Sequence, residues 1–203
     1  MVESHPGRDP ETTEDMTKHP CVVTVFGGSA PKPGDLAYRQ GVTLGRLLAE
    51  AGLAVATGGY IGTMEAVSRG AASASGRVIG MTCDQIEAWR SVKPNAWVQE
   101  EIRSSTLRER LNRLVEIGDA WIALPGGIGT LSEISLCWSL LQTREVAPRP
   151  LVLIGPMWKE SMATFQQSGQ GYLRRKDVDL LTFASDEMVA VDHIVMWMKS
   201  NAM

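Results

Sequence analysis

Short apolar runs, several ending in glycines, alternate along this chain with segments of helical spacing. The first run, CVVTVF, is rich in β-branched residues and ends at Gly27 and Gly28, and the segment from Asp35 to Ala51 then carries apolar residues at helical intervals. Continuous β-branched runs are typical of strands buried on both faces. The crossovers are too long for hairpins, so the strands must lie parallel. The sequence therefore predicts an α/β fold, a Rossmann-like doubly wound parallel sheet with helices on both faces.

The same alternation assigns an element to most of the chain. The predicted strands are CVVTVF, LAVAT, RVIGMT, WVQEEI, DAWIAL, PLVLIG and LLTFA. The predicted helices span residues 35–51, 63–73, 105–117, 130–142, 158–167 and 187–199. Residues 83–95 are less regular and are predicted to form a loop or lid. Residues 1–20 are polar and aperiodic, which predicts a disordered N-terminal arm before a single Rossmann-like nucleotide-binding domain at 21–203.

Composition and charge argue against several classes of function. The 203 residues carry a formal net charge of -3, which offers no electrostatic footprint for DNA or RNA. No run reaches the length of a membrane span, and the N-terminal residues lack the apolar core of a secretory signal. We therefore expect a cytoplasmic protein with reduced cysteines and with neither a membrane nor a nucleic acid as partner. The three separated cysteines, with two of the three histidines in the polar arm, predict no metal site.

Two glycine-rich turns, GGYIGTMEA and GGIGTLSEI, resemble one another. Each follows a predicted strand and leads to a threonine that opens a helix. Glycines permit positive φ angles and the close approach of a ligand, and the helix N-terminus behind them offers unpaired N–H groups and a positive dipole end. Such turns suit a phosphate. The predicted substrate- and phosphate-binding residues are Gly28, Ser29, Gly58, Gly59, Gly62, Thr63, Pro125, Gly126, Gly127, Ile128, Gly129 and Thr130.

The glycine patterns also narrow the class of ligand. The Walker sequence GxxxxGK is absent, so the lysine of nucleoside triphosphate hydrolysis is missing. The turn GGSAP does not match GxGxxG, and the second strand ends in TGG rather than in an acid for a ribose diol, which disfavours NAD and FAD. A mononucleotide or a sugar phosphate remains as ligand, with no cofactor.

Two interpretations of the segment from Thr130 to Glu133 stand side by side. Its spacing fits a capping box, in which the Glu133 side chain returns to the Thr130 backbone. The same glutamate could instead meet a ligand bound at the glycine turn. Spacing alone leaves the structural and the catalytic interpretation about equally favoured.

The segments TGGYIGTMEAVSRGA, LRERLNRLVEIGDAWIALPGGIGTLSEI and VFGGSA together resemble the LOG (Lonely Guy) family, whose members have often been labelled "possible lysine decarboxylase". The hallmark PGGxGTxxE is complete from Pro125 to Glu133, and the resemblance covers about residues 22–155. It implies a cytokinin riboside 5'-monophosphate phosphoribohydrolase, which splits an N6-substituted AMP into free base and ribose 5-phosphate. It further implies a homodimer or dimer-based oligomer, with Arg110 and Glu133 as the catalytic pair.

Two departures from the family pattern support an alternative. Leu111 replaces the lysine that usually follows the arginine, and Glu65 stands where the family's GGGxxGLMG turn has a glycine. With both changes, the sequence is similar to those of a divergent branch of the superfamily, which includes molybdenum-cofactor carrier proteins. The alternative hypothesis is therefore a non-catalytic protein that binds or carries a nucleotide or the molybdenum cofactor. DNA handling, known for proteins with a related Rossmann domain, is a weaker third hypothesis.

The chemistry of glycosidic cleavage suggests roles for the candidate residues. The reaction develops oxocarbenium-like positive charge on the ribose. A carboxylate can stabilise that charge, or it can activate the water that attacks the ribose. Glu133, near a helix N-terminus, is expected to have a lowered pKa and to act as an anion. Arg110 is expected to hold phosphate or hydroxyl oxygens or to orient Glu133; the alternative is a solvated charge on a helix face. Met81 is a candidate contact for the base.

Other residues receive structural interpretations. Glu65 is expected to complement the dipole in the first turn of its helix, with a ribose contact as the alternative. Asp119 is expected to be structural, and Cys137 and Trp138 to belong to a core and subunit interface. No lysine lies at a glycine-rich strand end, so a decarboxylase that uses pyridoxal phosphate is not expected.

Overall fold

The computed structural model describes residues 20–201, so the predicted disordered arm lies outside the described residues except for Pro20. The strands are β1 (Val22–Phe26), β2 (Ala54–Thr57), β3 (Val78–Cys83), β4 (Glu100–Ser104), β5 (Ala120–Ala123), β6 (Leu151–Ile154) and β7 (Thr182–Ala184). The helices are α1 (Leu36–Glu50), α2 (Thr63–Ser73), α3 (Asp84–Arg90), α4 (Leu107–Glu116), α5 (Ile128–Thr143), α6 (Pro156–Ser168), α7 (Arg175–Val178) and α8 (Glu187–Asn201).

The strands form one parallel sheet in the order β4-β3-β2-β1-β5-β6-β7. The chain moves outward from β1 to β4, then returns to the centre, where β5 pairs with β1 and the sheet grows in the other direction. Strand order therefore reverses between β1 and β5. Loops on the two sides of such a switch point diverge and leave a crevice beyond the carboxyl ends of the strands. The predicted Rossmann-like doubly wound fold is confirmed.

Helices cover both faces of the sheet. Every residue of β1, β2, β5 and β6 is buried, as expected for parallel strands packed on both sides. On one face, side chains such as Phe26 and Trp121 pack against α4, α5 and α6. On the other face, Val25 and Ile122 pack against α1, α2 and α8. This double packing fixes the strand ends from which the loops of the crevice begin.

Helix α3 occupies half of the stretch that was predicted as a loop or lid. None of its residues is buried, so its sequence lacks the apolar periodicity that would have indicated a helix. Ion pairs stabilise it instead, because Asp84 and Glu87 both contact Arg103 of β4, at 2.7 and 2.9 Å. The prediction for residues 83–95 was therefore wrong for 84–90.

Smaller differences affect element boundaries. β4 begins three residues later than the WVQEEI run indicates, because Asn95 donates side-chain hydrogen bonds to the carbonyls of Gly59 and Tyr60 and holds the preceding segment in a turn. α7, with four residues, is too short for its spacing to be recognised. Between residues 20 and 201, no helix combines the length and apolar character needed to cross a membrane.

Candidate active site

A cavity of about 700 Å³ opens beyond the carboxyl ends of the central strands. Its walls are formed by the turns after β1 and β2, by helix α3 and the residues that follow it, by helix α4 and by the first turns of α5. The lining residues are Gly27, Gly28, Ser29, Tyr60, Ile61, Met64, Gln85, Ile86, Trp89, Arg90, Val92, Leu107, Arg110, Gly127, Ile128, Gly129, Thr130 and Glu133. A cavity of this volume is in the range that holds small organic ligands and cofactors.

The N-terminus of α5 presents unpaired backbone donors to this cavity. Gly127 is the N-cap and no side chain caps the helix; the Leu131 N–H donates to the Gly127 carbonyl at 3.0 Å. The N–H groups of Ile128, Gly129 and Thr130 therefore precede the first intrahelical bond and have no intrahelical acceptor. With the positive dipole end of a 16-residue helix, they form a cradle for an anion. We call these three N–H groups the anion cradle.

The capping box that the spacing allowed is not formed. Thr130 is the third residue of α5 rather than its N-cap, and its side chain lies over Gly126. Glu133 consequently sits more than a turn inside the helix, where it cannot return to the N-cap backbone. Its side chain lines the cavity instead, and no other residue between 20 and 201 forms an ion pair or a side-chain hydrogen bond with it. The structural interpretation of Glu133 is therefore wrong.

The expectation of a lowered pKa for Glu133 is also wrong. Burial raises the pKa of this carboxyl group from its ordinary 4.5 to about 7, and the positive charge of Arg110 offsets only part of that rise. The dipole of α5 acts mainly within the first turn, which Glu133 has already left. Glu133 therefore exchanges its proton near neutral pH, where a general acid or base is most effective.

Arg110 is buried, with 6% of its surface exposed, which excludes the solvated helix face. Its Nε donates to the Met81 carbonyl at 2.7 Å and its Nη2 to the Gly58 carbonyl at 3.1 Å. The Tyr60 ring lies 5.7 Å from the guanidinium carbon. Burial lowers the pKa of Arg110, while the negative charge of Glu133 opposes that change. The five N–H groups of an arginine exceed these two hydrogen bonds, so donors remain for the cavity.

The second glycine turn packs against the turn after β1, which lines the cavity. The Thr63 N–H donates to the Gly28 carbonyl at 2.9 Å, so it is not free for a phosphate. Gly62 has a φ of +76°, and a Cβ there would come within 2.6 Å of the backbone of Gly28 and Ser29. Glycine is needed here because two backbones pack against each other. The residues of this turn that were predicted to bind phosphate but do not line the cavity are Gly58, Gly59, Gly62 and Thr63.

Pro125 and Gly126 join the turns after β1 and β5. The Gly28 N–H donates to the Pro125 carbonyl at 3.2 Å, and the Cα of Gly126 lies 3.4 Å from the Cβ position of Gly28. Neither Pro125 nor Gly126 lines the cavity, so their predicted ligand contact gives way to a bracing role. Gly28 and Ser29 do line it, and so do Gly127, Ile128, Gly129 and Thr130.

Met81 does not contact the cavity, contrary to the expectation that it meets the base. Its side chain is 1% exposed and belongs to the core between the sheet and α4, because β3 turns this residue toward the helix. Only its carbonyl contributes to the site, through the hydrogen bond from Arg110.

The remaining interpretations concern residues outside the cavity. The Asp119 carboxylate accepts a hydrogen bond from the backbone of β1 at 2.8 Å, which makes it structural. Glu65 lies in the first turn of α2 and accepts a hydrogen bond from Tyr38 at 3.1 Å, away from the cavity lining. Cys137 is buried in the core, and Trp138 packs against the same cluster.

Sequence reasoning missed the wall that α3 provides. Ile86, Trp89 and Arg90 line the cavity, and the Arg90 Nη1 donates to the Ser29 Oγ at 3.1 Å. The only sequence signal for a helix in this stretch, which was predicted as a loop or lid, was the spacing of Ile86 and Trp89, three residues apart and followed by Arg90. The other lining residues that were not predicted are Gly27, Tyr60, Ile61, Met64, Gln85, Val92 and Leu107.

A methyl group at Gly129 should separate binding from folding. Nothing lies within 4 Å of the Cβ position, and the residue is in the first turn of a helix, so Gly129→Ala is expected to stabilise the fold by up to about 1 kcal/mol. The methyl group crowds the anion cradle, and we expect the affinity for inorganic phosphate to fall about tenfold. Thermal unfolding and calorimetric titration of the same variant measure both effects. Unchanged affinity would remove Gly129 from the phosphate site.

The raised pKa of Glu133 predicts a dependence of stability on pH. Because the folded pKa exceeds the unfolded value, the free energy of unfolding of the wild type falls as pH rises from about 4.5 to about 7. Glu133→Gln does not titrate, so its stability relative to wild type should grow by on the order of 3 kcal/mol across that window and then level off. Urea unfolding at pH 4.5, 6 and 8 measures the difference. The exposed Glu116→Gln is the charge control, and an equal gain there would contradict the assignment.

The fold and the cavity together define a Rossmann-like protein with an anion cradle, a buried arginine and a partly buried glutamate at the switch point. A family model described as "Possible lysine decarboxylase" matches residues 64–194. A cytokinin riboside 5'-monophosphate phosphoribohydrolase of Rhodococcoides fascians is 30% identical over 150 residues, covering 71% of this chain and 74% of that protein. The chain belongs to this family, which is the LOG family that its motifs resemble.

Two further similarities extend the comparison. A pyrimidine/purine nucleotide 5'-monophosphate nucleosidase of Escherichia coli K12 is 33% identical over 156 residues, 72% of this chain but only 33% of that longer protein. The solved structure of a molybdenum cofactor binding protein from Rippkaea orientalis superposes with a TM-score of 0.68 at 22% identity, covering 92% of this chain and 99% of that one. At that identity the similarity concerns the fold alone.

Proposed function

We propose that this protein is a phosphoribohydrolase that cleaves the N-glycosidic bond of a nucleoside 5'-monophosphate, AMP or N6-modified AMP of the cytokinin type. The products are the free base and ribose 5-phosphate. One observation carries the proposal: the anion cradle, the buried Arg110 and the partly buried Glu133 line the same cavity. A phosphate held at the N-terminus of α5 brings the attached ribose toward the second turn of that helix, where Glu133 lies.

The two ends of the cavity suit the two ends of such a substrate. The phosphate accepts hydrogen bonds from the N–H groups of the anion cradle. The base then contacts apolar and aromatic side chains of the same cavity, which favour a flat purine with or without an apolar substituent. The side chains available for this contact are Tyr60, Ile61, Met64, Ile86 and Leu107.

Glu133 acts on the bond between C1' and the base nitrogen. As that bond breaks, its electron pair leaves with the base and positive charge develops on the ribose ring, which the Glu133 carboxylate stabilises. The carboxylate takes a proton from the water that attacks C1' and then releases that proton to the departing base nitrogen, so that one water is added across the broken bond. A pKa of about 7 suits this transfer, because the group both accepts and releases a proton near neutral pH.

Arg110 keeps this carboxyl group in its working range. Its positive charge lowers the pKa of Glu133 against the larger effect of burial, so a substantial fraction is ionised at neutral pH. Two backbone carbonyls hold the guanidinium in place, which leaves its other N–H groups to contact ribose hydroxyl or phosphate oxygens. Because an arginine side chain stays protonated, Arg110 does not itself act as the proton donor.

The relatives support this reaction at the level of the family. The Rhodococcoides fascians and Escherichia coli proteins are both named for reactions of nucleoside 5'-monophosphates. We extend that chemistry to this chain, together with the homodimer or dimer-based assembly that the family resemblance implies. The partly buried Trp138 and the exposed Phe165, whose rings meet edge to face at 6.3 Å, are the apolar surface that we assign to the subunit contact.

The proposal is tested by following both products. The full chain is incubated separately with the nucleotides AMP, isopentenyl-AMP, CMP, UMP and GMP and, as a control, with adenosine, and the free base and ribose 5-phosphate are quantified by chromatography. We expect equal amounts of base and ribose 5-phosphate from at least one purine monophosphate, and none from adenosine. Failure to release base from any of the five would exclude the activity.

The second candidate is a non-catalytic carrier of a nucleotide or the molybdenum cofactor. Leu111, at the position where the family usually has a lysine, favours it. A carrier binds its phosphorylated ligand tightly without turnover, and Glu133→Gln leaves that affinity unchanged. Turnover that Glu133→Gln abolishes would exclude this candidate.

A further inference from the structure

Arg90 is a cation of the cavity wall without an acidic partner. It is the last residue of α3, its side chain is exposed, and it lines the cavity. Within the described residues 20–201 it forms no ion pair, although acids are close by on the same helix. Those acids, Asp84 and Glu87, pair instead with Arg103. The positive charge of Arg90 is therefore available to a ligand.

The charges around the cavity do not balance in the absence of a ligand. The lining residues with charged side chains are Arg90, Arg110 and Glu133. The charge of Arg110 faces that of Glu133, as the opposing effects on their pKa values indicate. One positive charge, that of Arg90, remains over. A phosphomonoester, which carries close to two negative charges at neutral pH, complements it.

The guanidinium of Arg90 contacts the turn after β1, and that turn packs against the turn that leads into α5. Its Nη1 donates to the Ser29 Oγ at 3.1 Å. Ser29 follows Gly28, whose backbone touches the turn that opens α5. The Trp89 ring stacks on the guanidinium, with the Arg90 Cζ 4.4 Å from the ring centroid, and so restricts its orientation. The contact with Ser29 uses one N–H group of five, which leaves the others for an anion.

We infer that Arg90 binds the phosphate of the substrate from the end of α3, together with the N–H groups of the anion cradle. The inference rests on the proposed function for the identity of the ligand as a phosphomonoester. An arginine suits this role because its guanidinium stays charged and contacts two phosphate oxygens at once.

The position of Arg90 predicts which kinetic constant depends on it. Its contact is with the phosphate, which does not change during cleavage of the bond at C1', so it binds substrate and transition state alike. Arg90→Gln should therefore raise KM for AMP about tenfold and change kcat less than threefold. Preference for the nucleotide over the nucleoside should fall by the same factor.

Binding measurements keep this inference separate from catalysis. Calorimetric titration of the full chain with ribose 5-phosphate and with adenosine is carried out for wild type, Arg90→Gln, Arg90→Lys and Arg108→Gln. Arg108 is the matched control, because it is exposed on α4 and does not line the cavity. We expect Arg90→Gln to weaken ribose 5-phosphate binding about tenfold, Arg90→Lys to restore part of it, and Arg108→Gln to match wild type.

The outcomes distinguish the inference from the proposed function. If Arg90→Gln weakens ribose 5-phosphate and spares adenosine, Arg90 is a phosphate ligand, even if no nucleotide is hydrolysed. If Arg90→Gln binds ribose 5-phosphate as wild type does, or loses adenosine and ribose 5-phosphate equally, the inference is overturned. An equal loss in Arg108→Gln would also overturn it, because net charge rather than contact would then explain the effect.

Discussion

Glu133→Gln is expected to lower kcat for AMP by about a thousandfold, which corresponds to about 4 kcal/mol of transition-state stabilisation. Glutamine has the shape of the glutamate but neither its charge nor its ability to accept a proton, and both are needed as charge develops on the ribose. KM should change less than threefold, because the phosphate contacts lie at the anion cradle. Steady-state rates of base release at pH 8 measure both constants.

The control for this variant is Glu65→Gln. Glu65 occupies the first turn of α2 behind the analogous glycine turn, outside the cavity lining, and glutamine can still accept the hydrogen bond from Tyr38. Its kcat should stay within twofold of wild type. The pH dependence gives a second check: since the ionised carboxylate is the active form, kcat/KM of the wild type should rise with an apparent pKa near 7. A rate that falls through that pH range would contradict the assigned role.

Arg110→Met is expected to damage both the fold and the reaction. The substitution leaves the carbonyls of Met81 and Gly58 without their donor in a buried place, and we expect the free energy of unfolding to fall by about 2 to 4 kcal/mol. It also removes the charge that lowers the pKa of Glu133, so less carboxylate is present at neutral pH. We expect kcat/KM at pH 7 to fall at least a hundredfold and its pH profile to shift upward. Urea unfolding and pH-rate profiles measure the two effects.

Arg113→Met is the matched control on the same helix. Arg113 pairs with Glu109 at 2.8 Å in an exposed i,i+4 contact and donates to the Arg103 carbonyl at 3.2 Å, also at an exposed place, so its loss should cost no more than about 1 kcal/mol. Arg110→Lys adds a second comparison, because it keeps the positive charge and loses the fork of donors. Partial recovery of the pH profile with lysine is expected. A profile for Arg110→Met that coincides with the wild type would show that Arg110 does not act on Glu133.

The fold was largely predictable because its determinants are local. The buried runs of β1, β5 and β6 and the glycines that follow the central strands indicate strand ends directly, and the long crossovers leave only a parallel sheet. What escaped prediction lacks an apolar face. α3 is stabilised by ion pairs with β4, a neighbour brought near only by the fold.

The site was predicted in outline but not in its electrostatics. Glu133 and Arg110 both line the cavity, as the family motifs led us to expect. The direction of the Glu133 pKa change was misjudged because it depends on burial by segments distant in sequence, whereas the sequence revealed only the nearby helix N-terminus. The glycines of the second turn show a related ambiguity of the sequence: a ligand and a packed backbone both demand glycine, and the structure places Gly62 against the backbone of Gly28 and Ser29.

The most direct test of the central claim is a crystal structure of the Glu133→Gln variant with AMP. We predict that the phosphate lies at the N–H groups of Ile128, Gly129 and Thr130, and that C1' of the ribose lies about 3.5 Å from the carboxamide at position 133 or from one water held by it. A nucleotide bound with its phosphate away from α5, or with its base rather than its ribose beside residue 133, would contradict the proposed reaction.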